Sequence, residues 1–76
     1  MKINKIHGND RILYLETTEG EYVCSCKLTD NIFEIESQNI KHQGKPITKD
    51  MNERLKQAIT SYTTNKKFQI VLRKND

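Results

Sequence analysis

The sequence predicts an α+β fold: an antiparallel β-meander sheet with one amphipathic helix packed on one face and a C-terminal strand, together a two-layer sandwich. Three observations predict it. Alternating apolar and polar residues run up to residue 37 and are cut by turn signals. One stripe at helical spacing follows: Met51, Leu55, Ala58, Ile59 and Tyr62. A second alternation, Phe68, Ile70 and Leu72, closes the chain. The stripe and the sheet's apolar face are each the only large apolar surface available to the other, so they should pack together.

The front half divides at His7-Gly8-Asn9-Asp10, Glu19-Gly20 and Asp30-Asn31 into strands over about 2–6, 11–18, 21–29 and 32–37. The first strand is awkward, because Ile3 and Ile6 are three apart and a flat strand cannot put both on one face. A bulge, or one isoleucine on each face, resolves this. With Glu19-Gly20 as a two-residue turn, Leu15 faces Cys24, Leu13 faces Cys26 and Thr17 faces Tyr22. With Asp30-Asn31 as the next turn, Leu28 faces Phe33, Cys26 faces Ile35 and Lys27 faces Glu34. One face then gathers Leu13, Leu15, Tyr22, Cys24, Cys26, Leu28, Phe33 and Ile35, and the other Ser25, Lys27, Glu34 and Glu36. A one-residue slip would scramble this separation, so turn chemistry and face chemistry agree.

Asn39-Ile40-Lys41-His42 reads as a short fifth strand and Gln43-Gly44-Lys45-Pro46 as a loop. Thr48 is a good N-cap, with Asp50 favoured in the first turn by the helix dipole; Asp50-x-x-Glu53 is a competing cap. Lys49–Glu53 and Asp50–Arg54 pair at i, i+4 on the wet side. The helix should fade at Thr63-Thr64-Asn65, which are weak helix formers. The predicted buried set is Leu28, Phe33, Ile35, Leu55, Ile59 and Ile70.

Length and composition set bounds. Seventy-six residues make a single domain, 1–76, with a thin core. Leu, Ile, Val and Phe number 18, above the roughly 20% of residues below which disorder is expected. The longest apolar run is Ile12–Leu15, far short of the ~18 residues of a membrane span. The opening Met1-Lys2-Ile3-Asn4-Lys5 lacks the apolar run of a signal peptide. The expectation is a cytoplasmic protein that meets no membrane. Charge is uneven: residues 11–37 carry −4 and residues 38–76 carry +6. Such asymmetry either draws an acidic partner or lets the two halves attract each other.

The chemistry-bearing residues form no catalytic constellation. Cys24-x-Cys26 places both thiols on the core face of a strand, as two small buried hydrophobes. A metal would need about four ligands, and neither His7 nor His42 stands at a metal-site spacing. No serine or cysteine is set beside a histidine with a third orienting group. Glu34 and Glu36 share a face but have no cleft, as glycosidase carboxylates need. Gly8, Gly20 and Gly44 are isolated, so no phosphate-cradling loop exists. The expectation is a non-enzyme without cofactor or metal.

Two surfaces remain as candidates. Ile12, Tyr14 and Val23 point away from the core and form an apolar–aromatic cluster flanked by Lys27 and Glu34, which marks a protein contact. The first strand, a second copy or another protein would cover it. The alternative is a basic footprint for nucleic acid: Lys41, Lys45, Lys49, Lys66, Lys67 and Arg73, joined by Lys74. The five phenylalanines and tyrosines are mostly committed to the core, which leaves no stacking platform for bases.

The order of meander, loop, Gly44-Lys45-Pro46-Ile47-Thr48, helix and closing Phe68-Gln69-Ile70-Val71 resembles a family of small immunity proteins of bacterial polymorphic-toxin systems. The resemblance spans about residues 12–72. It implies a non-catalytic protein that neutralises a cognate toxin by binding it. No functional residue carries over from it.

Overall fold

The computed structural model describes residues 1–73. Its elements are β1 (Ile3–Gly8), β2 (Ile12–Thr17), β3 (Gly20–Thr29), β4 (Ile32–His42), β5 (Lys45–Pro46), α1 (Lys49–Thr63) and β6 (Gln69–Arg73). Strands β1 to β5 follow one another in an antiparallel meander, and β6 pairs with β4. That last pairing is parallel, with Phe33 opposite Ile70 and Ile35 opposite Leu72. Helix α1 makes the crossover that a parallel pair requires. The fold is α+β, one sheet with one helix on it, as the two periodicities predict.

Turn chemistry sets the registers. Asp30 and Asn31 have φ of 50° and 68°, the left-handed pair of a type I′ turn. Lys27 duly faces Glu34 and Leu28 faces Phe33. The β2–β3 turn differs from the expectation. Its two loop residues are Thr18 and Glu19, so Leu13 faces Cys24 and Leu15 faces Tyr22. The Thr17 hydroxyl explains the shift: it donates to the Gly20 carbonyl at 2.7 Å and accepts from the Glu19 amide at 3.0 Å. A threonine side chain closing its own turn competes with the glycine signal next to it. The displacement is two residues, so every side chain keeps its face.

Irregular pairing solves the parity problem of the first strand and recurs in β4. Ile3 faces Thr17 while Lys5 faces Glu16, so Asn4 is an extra residue and Ile3 and Ile6 share the inner face. In β4, Ile35 faces Cys26 and Ile40 faces Cys24. Between these pairs β3 contributes only Ser25, against Glu36, Ser37, Gln38 and Asn39 of β4. The expected break between 37 and 39 is therefore a large bulge within one strand. Beyond it, His42 and Lys45 pair around Gln43-Gly44, which have φ of 55° and 77°. The expected loop is thus a tight hairpin.

Thr48 caps α1: its Oγ1 accepts from the Met51 amide at 3.1 Å. Asp50 instead lies in the first turn, where the helix dipole favours it. At the other end the Thr63 and Thr64 hydroxyls bond back to the carbonyls of Ile59 and Thr60. That back-bonding weakens the last turn, in line with its β-branched composition.

The core joins Leu55, Ala58 and Ile59 of α1 to Ile3, Leu13, Leu15, Tyr22, Cys24, Ile35 and Ile40 of the sheet. Of the predicted buried set, Ile35, Leu55 and Ile59 are buried. Phe33 and Ile70 are only half-buried at its margin. Phe33 instead meets Phe68 edge to face, with ring centroids 5.7 Å apart. Leu28 is 41% exposed. Alternation gives it the right direction, but the sheet outruns its cover. A strand rises about 3.3 Å per residue and a helix about 1.5 Å, so the ten residues of β3 reach further than the fifteen of α1. The β3–β4 hairpin tip therefore projects beyond α1.

Glu19 ties the β2–β3 turn to the rest of the molecule. It is paired with Arg54 of α1, and its Oε2 lies 3.5 Å from the Met1 amino group. Burial works against its charge, but the Arg54 guanidinium and the amino group outweigh that and hold its carboxyl below the usual carboxylate range. These pairs contribute above that range and are lost as pH falls through it.

Candidate functional site

The outer face of the sheet is built by strict alternation. Tyr14 lies opposite Val23 and Ile12 opposite Ser25. Lys27 lies opposite Glu34, and Glu34 in turn opposite Val71. Because Val23, Ser25 and Lys27 project from the same side of β3, the five predicted residues form one continuous strip. Ile12 is 37% exposed, Tyr14, Val23 and Glu34 are half-buried, and Lys27 is exposed. α1 lies on the opposite face. β1 extends the sheet sideways at its edge and does not lie over the strip.

Neighbouring side chains hold the strip in place. His7 of β1 stacks on Tyr14, with centroids 5.1 Å apart and planes at 16°. The His7 Nε2 lies 3.0 Å from Glu16 Oε2. Arg73 of β6 donates from Nη2 to Glu34 Oε1 at 2.7 Å. The β4 bulge opens a depression of about 250 Å3 beside this pair, lined by Ser25, Cys26, Lys27, Glu34, Glu36 and Arg73 among others. His7 was not visible from the sequence as part of this surface, because it reads as turn while β1 runs on to Gly8; Glu16 follows Ile12 and Tyr14 onto this face by alternation along β2. Arg73 was assigned to the basic footprint, and its partner is an acid of the strip.

The basic residues fall into separate groups. Lys41 and Lys45 sit on the β4–β5 hairpin, and Lys49 opens α1. Lys66 and Lys67 follow the far end of α1, about 22 Å away for fifteen helical residues. Lys66 Nζ lies 5.0 Å from the Tyr62 ring centroid. Lys74 lies outside the described residues.

Both cysteines are free; Cys24 is buried and Cys26 half-buried. Burial, and then the neighbouring Cys26, push the Cys24 thiol up to about 12. Burial, and then the charge of Asp10, push Cys26 up as well. Its Sγ lies 3.9 Å from the Asn9 carbonyl oxygen. The two thiols thus differ in access, where the sequence suggested an equal pair. A disulfide-exchange reagent should modify Cys26 first and Cys24 only at the rate of unfolding, since the thiolate is the reactive form. Equal, rapid modification of both in the native protein would contradict this packing. Among the described residues no three His, Cys, Asp or Glu side chains come together as a metal site.

Among the described residues no helix is long and apolar enough to cross a membrane. Comparison with protein-family models, curated proteins and solved structures found no match.

Proposed function

We propose that the protein is a non-catalytic binding module of the cytoplasm that presents the outer sheet face to another protein, in the manner of an immunity-type inhibitor occupying a toxin. The observation that carries this reading is the strip Ile12, Tyr14 and Val23, left uncovered by α1 and bordered by Lys27 and Glu34. An apolar–aromatic centre with a charged rim is the anatomy of a protein interface. Carboxylates Glu16, Glu21, Glu34 and Glu36 share this face with Lys5, Lys27, Lys41 and Arg73, and that even mixture suits a protein better than a polyanion. The separation of the basic groups along α1 supports the same choice.

Tyr14→Asp tests the reading. The variant should remain folded, since Tyr14 lies outside the core, and it should lose association with the partner or with a second copy. Sedimentation reports self-association, and co-purification from the native host reports a partner. Association that persists unchanged in folded Tyr14→Asp removes this face as the contact. Binding that collapses steeply with added salt and survives Tyr14→Asp would point to nucleic acid on the basic groups.

A further inference from the structure

A second surface lies on the helix side of the sheet, at its β1 edge. Between the start of β1 and the last turns of α1 runs a groove of about 550 Å3, lined by Met1, Lys2, Ile3, Ala58, Ser61, Tyr62 and Lys66. That volume falls within the range of ligand-binding clefts. Ile3 and Ala58 are buried and belong to the core, and Tyr62 packs against it, so the floor is apolar and fixed. The rim is not neutral. Among the described residues, Lys2 and Lys66 are the only charged side chains that line the groove, and no acidic one does. The ring of Tyr62, 5.0 Å below, holds the Lys66 ammonium at the rim. The Met1 amino group, by contrast, is already engaged by Glu19 at 3.5 Å.

The groove also runs beside an open strand. β1 pairs with β2 on one side only and stands at the end of the sheet, so its other side offers unpaired backbone donors and acceptors. An edge strand beside a groove under a helix is the arrangement that accepts an added peptide strand, with main-chain bonds supplying affinity and alternate side chains entering the groove. Lys5 does not obstruct it, since it faces Glu16 on the outer face.

We infer that this groove binds an extended acidic peptide segment of a partner protein. Its backbone lies along β1, one large apolar side chain rests on Ile3, Ala58 and Tyr62, and flanking carboxylates meet Lys2 and Lys66. The charge of the rim selects the acidic sequence, and the apolar floor selects the anchor between the acids.

The probe is a randomised seven-residue peptide library displayed on phage and panned against the intact protein, followed by synthesis of the enriched peptides. Enriched sequences should carry an apolar residue between aspartates or glutamates. Their binding should move the amide resonances of Ile3 to Ile6 and of Ala58 to Lys66. Lys66→Glu, at an exposed position that leaves the fold intact, should weaken binding by about tenfold or more, because a rim charge then repels the peptide. Replacing the peptide residue beside the anchor with proline should abolish binding, because proline removes the donor that strand addition uses. Tyr14→Asp should bind the same peptides as well as the unaltered protein, which separates this groove from the outer-face contact. No enrichment, enrichment without acidic residues, or indifference to Lys66→Glu would overturn the inference.

Discussion

Leu55→Ala should destabilise the protein by about 2–5 kcal/mol, the range for truncating a fully buried leucine. Leu55 is 0% exposed, and the core cluster to which it belongs draws on both layers: Ile3, Leu13, Leu15, Tyr22, Cys24, Ile35 and Ile40 from the sheet, Ala58 and Ile59 from its own helix. The side chain is therefore part of what fastens helix to sheet. A 76-residue domain has only about 4–11 kcal/mol of stability in all, so one truncation removes a large share of it. Urea unfolding followed by far-UV circular dichroism should show a lower midpoint at an unchanged slope. Leu28→Ala is the contrasting variant. Leu28 is 41% exposed at the hairpin tip, and its truncation should cost less than about 1 kcal/mol, because much of its apolar surface already meets water. Equal losses for the two leucines would mean that α1 lies over the hairpin tip and not over the centre of the sheet.

The two leucines also separate what alternation encodes from what it does not. Period-2 patterning tells which face a strand residue takes, and it does so correctly for Leu13, Leu15, Tyr22, Cys24 and Ile35. It carries no information on how far the covering layer reaches, and Leu28, Phe33 and Ile70 are the residues where that matters. Similarly, Glu19-Gly20 signals a hairpin, but the Thr17 hydroxyl decides which two residues form its loop. Ile3 and Ile6 are legible as a parity conflict, and the bulge at Asn4 resolves it. The same conflict between Ile35 and Ile40 is hidden if the segment is divided into two strands. The parallel docking of β6 on β4 depends on contacts between residues nearly forty positions apart, for which local patterning has no signal.

The candidate site was legible to the same depth. Ile12, Tyr14 and Val23 follow from alternation in two adjoining strands, and the two-residue error in their register leaves them on the outer face. Lys27 opposite Glu34 follows from the Asp30-Asn31 turn. The supporting residues do not follow. His7 reaches Tyr14 because β1 runs on to Gly8, through residues that read as a turn, and Arg73 reaches Glu34 only because β6 returns in parallel. The groove between α1 and β1 joins residues more than fifty positions apart, so no local pattern of spacing could place Lys2 beside Lys66.

Gly8→Ala carries the second large effect, and it acts through the backbone. Gly8 closes β1 with φ of +135°, a conformation that side-chain-bearing residues avoid at a cost of about 1–3 kcal/mol. Space is short as well: a Cβ there would stand 2.2 Å from the Ile12 carbonyl oxygen and 3.1 Å from the Leu13 Cα. That carbonyl cannot easily retreat, because it accepts the Asn9 amide at 2.9 Å. The Asn9 side chain in turn accepts the amides of Arg11 and Ile12 at 2.8 and 3.0 Å. The turn is thus held by one backbone bond and by the Asn9 side chain, and strain and overlap should add, for a total above that of φ alone. Gly20 provides the comparison. The nearest atoms to a Cβ at Gly20 belong to the His42 ring, with Cε1 at 2.8 Å, and a side chain yields more readily than a strand. Gly8→Ala should therefore lower the urea midpoint more than Gly20→Ala. D-alanine at position 8, introduced by chemical synthesis, should recover most of the loss, because the mirror configuration favours positive φ. The change should also reach the outer face. His7 adjoins Gly8, so displacing β1 should separate His7 from Tyr14, seen as a shift of the Tyr14 ring resonances. A Gly8→Ala protein with unaltered midpoint and unaltered Tyr14 resonances would refute this geometry for the β1–β2 connection.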